Sequence, residues 1–173
     1  MQPISSRLTG PLTLKQRGMF KSEYDLRSAD QPVGELVFKG TWRTVATAKS
    51  GGGCWTLKEE GVFRTRTLVR RCETEDVVAT YHPKAWSKSG VLELTNGKRY
   101  FIKSRGLRSS IEIRTSEDAS PSITIKIEGI WRTQIRVELA ASATSLADLP
   151  LLVLFCAYYV VCQQRQAAIA AAA

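Results

Sequence analysis

An uncharged run near the C-terminus, from Leu149 to Cys162, constrains the fold of this chain most strongly. A helix drawn through it is apolar on every face, so it needs apolar surroundings on all sides, either lipid or the centre of a folded core. At about 1.5 Å per residue the run spans roughly 21 Å, which is shorter than the roughly 30 Å of membrane hydrocarbon. The polar segment Gln163 to Gln166 then ends it.

We therefore predict a buried core helix over residues 148–164, with Asp148 as its N-cap and Pro150 in its first turn. The alternative is a C-terminal membrane anchor lengthened by the Ala-rich residues 167–173. That alternative places the charged segment Gln163 to Gln166 at membrane depth, which is costly.

From Leu12 to Leu139, apolar and polar residues alternate in short segments that turn residues separate. The Asn96-Gly97 pair between two such segments is the strongest hairpin signal in the chain. Roughly twelve segments of this kind are typical of an antiparallel sandwich or barrel. Their alternation predicts one apolar face and one polar face for each strand.

The strands and the helix together favour a closed barrel with a filled centre. About eight strands are filled by their own side chains, and 16–18 leave an aqueous channel. About twelve strands therefore need a central helix. We predict one all-β domain over residues 12–166, a roughly 12-stranded antiparallel closed barrel around the hydrophobic C-terminal helix, with tails at 1–11 and 167–173.

The net charge of +9, from 25 Lys and Arg against 16 Asp and Glu, favours an anionic partner. The guanidinium fork of Arg suits phosphate oxygens. Two dense basic stretches supply candidate ligand-binding residues: Arg64, Arg66, Arg70, Arg71, Lys98, Arg99, Lys103, Arg105 and Arg108. On strands, Arg64 and Arg66 share a face, as do Arg99, Lys103 and Arg105. The alternative is an ordinary solvated exterior, in which these charges pair with Glu93, Glu112 or Glu128 across strands.

Aromatic and glycine-rich segments favour packing and turns over specific sites. Tyr100 and Phe101 lie within a basic segment and are the best candidates for base stacking, although we expect one of them to pack in the core. Tryptophans are spread over the predicted strands, which favours packing, at positions Trp42, Trp55, Trp86 and Trp131. Gly51-Gly52-Gly53 lacks the Lys-Ser/Thr of a phosphate-binding loop and predicts a hairpin turn.

The cysteines and the single histidine give no sign of a metal site or of catalysis. None of the four cysteines forms a C-x-x-C pair, so we expect buried reduced thiols and no disulfide framework. His82 is the only histidine, and no nucleophile motif accompanies it. Residues 1–14 contain no apolar secretory segment. We expect a cytoplasmic, non-enzymatic protein without a cofactor or a metal.

This order of elements, many short strands followed by the apolar helix from Asp148 to Val161, resembles the tubby C-terminal-like superfamily. That group includes tubby domains, LURP-one-related proteins and phospholipid scramblases. The resemblance covers Leu12 to Gln166 and implies a closed barrel threaded by the helix, with no known enzymatic chemistry. In tubby domains it implies phosphoinositide binding by surface basic residues, but it matches no lipid-contacting residue to a position in this chain.

These observations predict a binding module for anionic phospholipid headgroups or another phosphorylated ligand, with peripheral membrane contact. We expect the basic exterior of a monomeric barrel to provide the site. The alternatives are a single-stranded nucleic-acid-binding protein and a C-terminally tail-anchored membrane protein.

Overall fold

The computed structural model describes residues 11–18, 22–40, 45–61, 65–84, 89–105, 110–128 and 134–172. Within these ranges the chain forms twelve strands and then one α-helix. The elements are β1 (Leu12–Gln16), β2 (Glu23–Ser28), β3 (Gln31–Lys39), β4 (Val45–Ser50), β5 (Gly53–Glu60), β6 (Arg66–Arg71), β7 (Val77–Pro83), β8 (Ser89–Leu94), β9 (Arg99–Arg105), β10 (Ser110–Arg114), β11 (Ile123–Glu128), β12 (Gln134–Leu139) and α1 (Leu149–Ala172).

The strands form a closed antiparallel barrel in which each strand pairs with its neighbours in the sequence. The first and last strands close it, with Leu12 opposite Val137 and Leu14 opposite Ile135. All four of these side chains are buried. The predicted fold class, a 12-stranded closed barrel, is confirmed.

The alternating pattern of the sequence sets the inner and outer faces of the barrel. In β12, Ile135 and Val137 are buried, whereas Gln134, Arg136 and Glu138 are exposed. Successive side chains of a strand point to opposite faces, so the apolar positions of each strand meet inside. The polar positions form the outer surface.

Helix α1 fills the barrel. Residues 152–157 are all 0% exposed, so a stretch longer than one helical turn is covered on every face. The Phe155 ring contacts the Tyr81 ring with centroids 5.3 Å apart. The Tyr158 ring stacks on Phe38 at 5.6 Å. The predicted central core helix is confirmed, and each large apolar side chain buried there contributes roughly 1.5–3 kcal/mol.

The helix is longer than predicted. It continues past residue 164 to Ala172, through residues that we had assigned to an Ala-rich tail. Ala and Gln are good helix formers, so the helix persists where residues 166–170 are exposed. The Arg165 guanidinium lies 4.2 Å from the centroid of the Phe38 ring at the point where the helix leaves the barrel. Among the described residues, no helix has both the length and the apolar character that a membrane span requires.

The prediction of four reduced cysteines is wrong for two of them. Cys54 and Cys72 form a disulfide with their Cα atoms 5.4 Å apart. The pairing of Trp55 with Arg71 across β5 and β6 places the two cysteines opposite each other. Cysteine usage therefore no longer supports the expected cytoplasmic location, because disulfides persist mainly in oxidising compartments. The remaining pair, Cys156 and Cys162, consists of buried free thiols as predicted.

Candidate binding cavity at the end of the barrel

The candidate cations of β9 lie on the outer face of the barrel and are largely paired. Arg99 donates from Nε and Nη2 to Glu93 Oε1, at 3.2 and 3.0 Å. Arg105 Nε lies 3.0 Å from Glu112 Oε1. Lys103 shares this face but forms no ion pair within the described residues. The alternative interpretation, charges paired across strands, is correct for both arginines.

The candidate cations of β6 do not join those of β9. Arg66 and Arg70 point outward, and Arg70 Nη2 lies 3.5 Å from Glu60 Oε1. Strands β7 and β8 separate β6 from β9, so the outer cations do not form one patch. Arg64 and Arg108 lie outside the described residues.

Arg71 and Lys98 occupy a different place, the end of the barrel where α1 begins. Arg71 pairs in register with Trp55, whose side chain is buried, so both residues face the inside of the sheet. A cavity of about 210 Å³, which we call the end cavity, opens there. Its lining includes both apolar and polar residues: Trp55, Val78, Leu94, Pro150 and Leu151, together with Arg71, Thr95, Asn96 and Asp148.

Two turns shape this end of the barrel. A Cβ atom added at Gly52, in the turn between β4 and β5, would lie 2.9 Å from Pro150 Cγ, so only glycine lets the turn approach the helix this closely. The predicted Asn96-Gly97 turn joins β8 to β9, and Gly97 adopts φ of +84°, which favours glycine. Asn96 Oδ1 accepts a hydrogen bond from the Lys98 backbone N–H at 3.1 Å.

Asp148 links the start of the helix to the hairpin of β8 and β9. Its backbone carbonyl accepts the hydrogen bond of Leu152 N–H at 3.0 Å, as an N-cap residue does. Its carboxylate, however, uses Oδ2 to accept hydrogen bonds from Lys98 Nζ at 2.8 Å and from the Tyr100 hydroxyl at 2.9 Å. Burial, and then the hydrogen bond to Asp148, raise the pKa of Tyr100 above its ordinary value.

Arg71 has no carboxylate partner. All sixteen acidic residues of the chain lie in the described ranges. No carboxylate oxygen of these residues forms an ion pair with Arg71, although most described surface arginines have one. Arg71 is exposed, so its guanidinium is open to an anion that enters the cavity from solvent.

The disulfide joins two residues that adjoin the cavity lining. Cys54 precedes Trp55, and Cys72 follows Arg71. The backbone N–H of Cys72 also donates to the Cys54 carbonyl at 3.1 Å, so the strands are paired there as well as cross-linked. The cross-link holds Trp55 and Arg71, from opposite sides of the hairpin, next to each other in the wall.

The aromatic candidates divide between the core and the surface. Tyr100 is 3% exposed and Phe101 is half-buried on the outer face, as expected for neighbours on one strand. Trp55 lines the end cavity, a role that sequence reasoning did not assign. The other three tryptophans lie outside the described residues, at positions Trp42, Trp86 and Trp131.

The described residues contain no cluster of three or more His, Cys, Asp or Glu side chains that could hold a metal ion. His82 is exposed on the outer face of β7, away from the end cavity. What the end cavity can do chemically is bind an anion through Arg71 and accept hydrogen bonds at Asp148.

Comparisons with protein-family models, with curated proteins and with solved structures found no match, so the tubby-like resemblance depends on the order of elements alone.

Proposed function

We propose that this chain is a non-enzymatic binding module for a ligand with a phosphate or similar anionic group, and that the end cavity receives this group. The observation that carries the proposal is the position of Arg71, which lines the cavity and has no carboxylate partner among the described residues. Arginine can donate two parallel hydrogen bonds to phosphate oxygens. On the outer face, Arg99 and Arg105 already pair with Glu93 and Glu112.

The size of the cavity suits a small ligand. Pockets for drug-sized molecules typically measure about 300–1,000 Å³. The end cavity, at about 210 Å³, is smaller, and fits a phosphate ester or the headgroup of a lipid. Both sources share the same anionic chemistry. In the lipid case the barrel, acting as a monomer, would approach a membrane peripherally with this end first.

Isothermal titration calorimetry with ethyl phosphate tests the proposal. We expect Arg71→Gln to weaken binding roughly 10- to 150-fold, because hydrogen bonds to charged groups contribute roughly 1.5–3 kcal/mol. Arg66→Gln is the matched control, since Arg66 lies on the same strand, points outward and also lacks an ion pair in the described chain. Equal losses in both variants, or no binding by the parent chain, would refute the assignment.

Co-sedimentation with phosphatidylcholine vesicles, with and without phosphatidic acid, tests whether the phosphate belongs to a lipid headgroup or to a free ligand. Co-sedimentation that Arg71→Gln abolishes would identify a lipid headgroup, whereas binding of ethyl phosphate alone would identify a free ligand. Binding of a single-stranded oligonucleotide tests the nucleic-acid alternative. That alternative predicts salt-dependent binding that is lost in Arg99→Glu/Lys103→Glu and kept in Arg71→Gln. This result would contradict the proposal.

A further inference from the structure

The end cavity contains a carboxylate oxygen as well as a cation. Both hydrogen bonds to the Asp148 side chain, from Lys98 and Tyr100, go to Oδ2. Oδ1 receives no hydrogen bond from any residue in the described ranges. The Asp148 side chain is 18% exposed, and Oδ1 is not one of the buried atoms without a partner, so it is open to a molecule that enters the cavity.

Arg71 and Asp148 line the same cavity without pairing with each other. The ion pair of Asp148 is with Lys98, and Arg71 has none within the described residues. A cavity lined by both a guanidinium and a carboxylate with one oxygen free of hydrogen bonds is complementary to a ligand with two ends. One end is an anion, and the other end donates N–H hydrogen bonds.

We infer that the ligand of the end cavity is a small zwitterion, an amine-bearing phosphate ester of the phosphoethanolamine type. This inference rests on the proposed function and names the class of ligand. Arg71 binds the phosphate, and Asp148 Oδ1 accepts a hydrogen bond from the ammonium group. The apolar wall at Trp55, Val78 and Leu94 covers the short carbon chain between them.

A series of three probes that differ only in the amine tests the inference by calorimetry on the parent chain. Ethyl phosphate has no amine, phosphoethanolamine has an ammonium with N–H donors, and phosphocholine has a quaternary ammonium without them. We expect phosphoethanolamine to bind roughly tenfold more tightly than either of the others, because only its ammonium can donate to a carboxylate.

The variant Asp148→Asn removes the negative charge but keeps an acceptor for Lys98 and Tyr100. We expect it to remove the preference for phosphoethanolamine over ethyl phosphate, measured as the ratio of the two affinities for the same variant. The control is Asp118→Asn, at an exposed aspartate outside the cavity, which should preserve the preference. Thermal melts establish that each variant is folded. The comparison of the three probes uses only the parent chain, so it tests the inference even if a variant fails to fold.

Each outcome separates this inference from the proposed function. Equal affinity for all three probes, with binding still lost in Arg71→Gln, overturns the zwitterion and leaves the anion site. The zwitterion inference is also overturned if phosphocholine and phosphoethanolamine bind equally well and both bind more tightly than ethyl phosphate. That result would mean that the ligand's cation lies against the face of Trp55 and not at Asp148. Binding of none of the soluble probes, nor of vesicles containing phosphatidylethanolamine, refutes the proposed function itself. Binding of those vesicles over phosphatidylcholine alone supports the inference with a lipid as the source.

Discussion

Reduction of the Cys54–Cys72 disulfide should destabilise the barrel by a predictable amount. The two cysteines are 18 positions apart in the sequence. Cross-linking a loop of that length removes chain entropy from the unfolded state that corresponds to about 3 kcal/mol at 25 °C. The folded state should change little, because the backbone of Cys72 already donates to the Cys54 carbonyl.

Urea unfolding of the parent chain and of Cys54→Ser/Cys72→Ser measures this loss. Both cysteines are half-buried and face away from the core, so serine leaves no cavity inside the barrel. We expect the double variant to lose about 3 kcal/mol in the free energy of unfolding. Dithiothreitol should produce the same loss in the parent chain and none in the double variant.

The two helix cysteines are protected from reaction in the folded chain. Burial raises the pKa of the Cys162 thiol to about 12 and raises that of Cys156 as well, so neither reacts readily in the folded chain. The reasoning would be refuted if dithiothreitol left the free energy of unfolding of the parent chain unchanged. A thiol titration of the unfolded, unreduced chain that finds all four cysteines free would also refute it.

The core packing supports two further predictions, both measured by urea unfolding. Phe155→Ala should cost roughly 3–5 kcal/mol, because the ring is fully buried at the centre of the barrel; Phe101→Ala, on the outer face, is the control, and an equal loss there would contradict the enclosed helix. Gly90→Ala should cost roughly 1–3 kcal/mol, since the added Cβ would lie 2.5 Å from the Tyr81 ring. Unchanged stability in Gly90→Ala would show that this contact is not as close as described.

Local patterns in the sequence determined the elements and their broad arrangement. Alternation in β12 is a property of neighbouring residues, because the pleat of a strand turns successive side chains to opposite faces. The run from Leu149 to Cys162 has no polar face, and its burial inside the sheet follows from the hydrophobic effect. The Asn96-Gly97 turn follows from the backbone freedom of glycine.

The tertiary structure decided which of these residues meet. The register of β5 against β6 places Leu57 opposite Val69 and Trp55 opposite Arg71. That register, and no local spacing, pairs Cys54 with Cys72.

The same dependence on register separates residues that look alike in the sequence. Arg70 and Arg71 are adjacent, yet one points outward to Glu60 and the other lines the end cavity. Lys98 meets Asp148 across fifty positions of the chain. A shift of one residue in strand pairing moves every side chain to the other face. The composition therefore predicted an anionic partner, while the strand register decided which arginine lines the cavity.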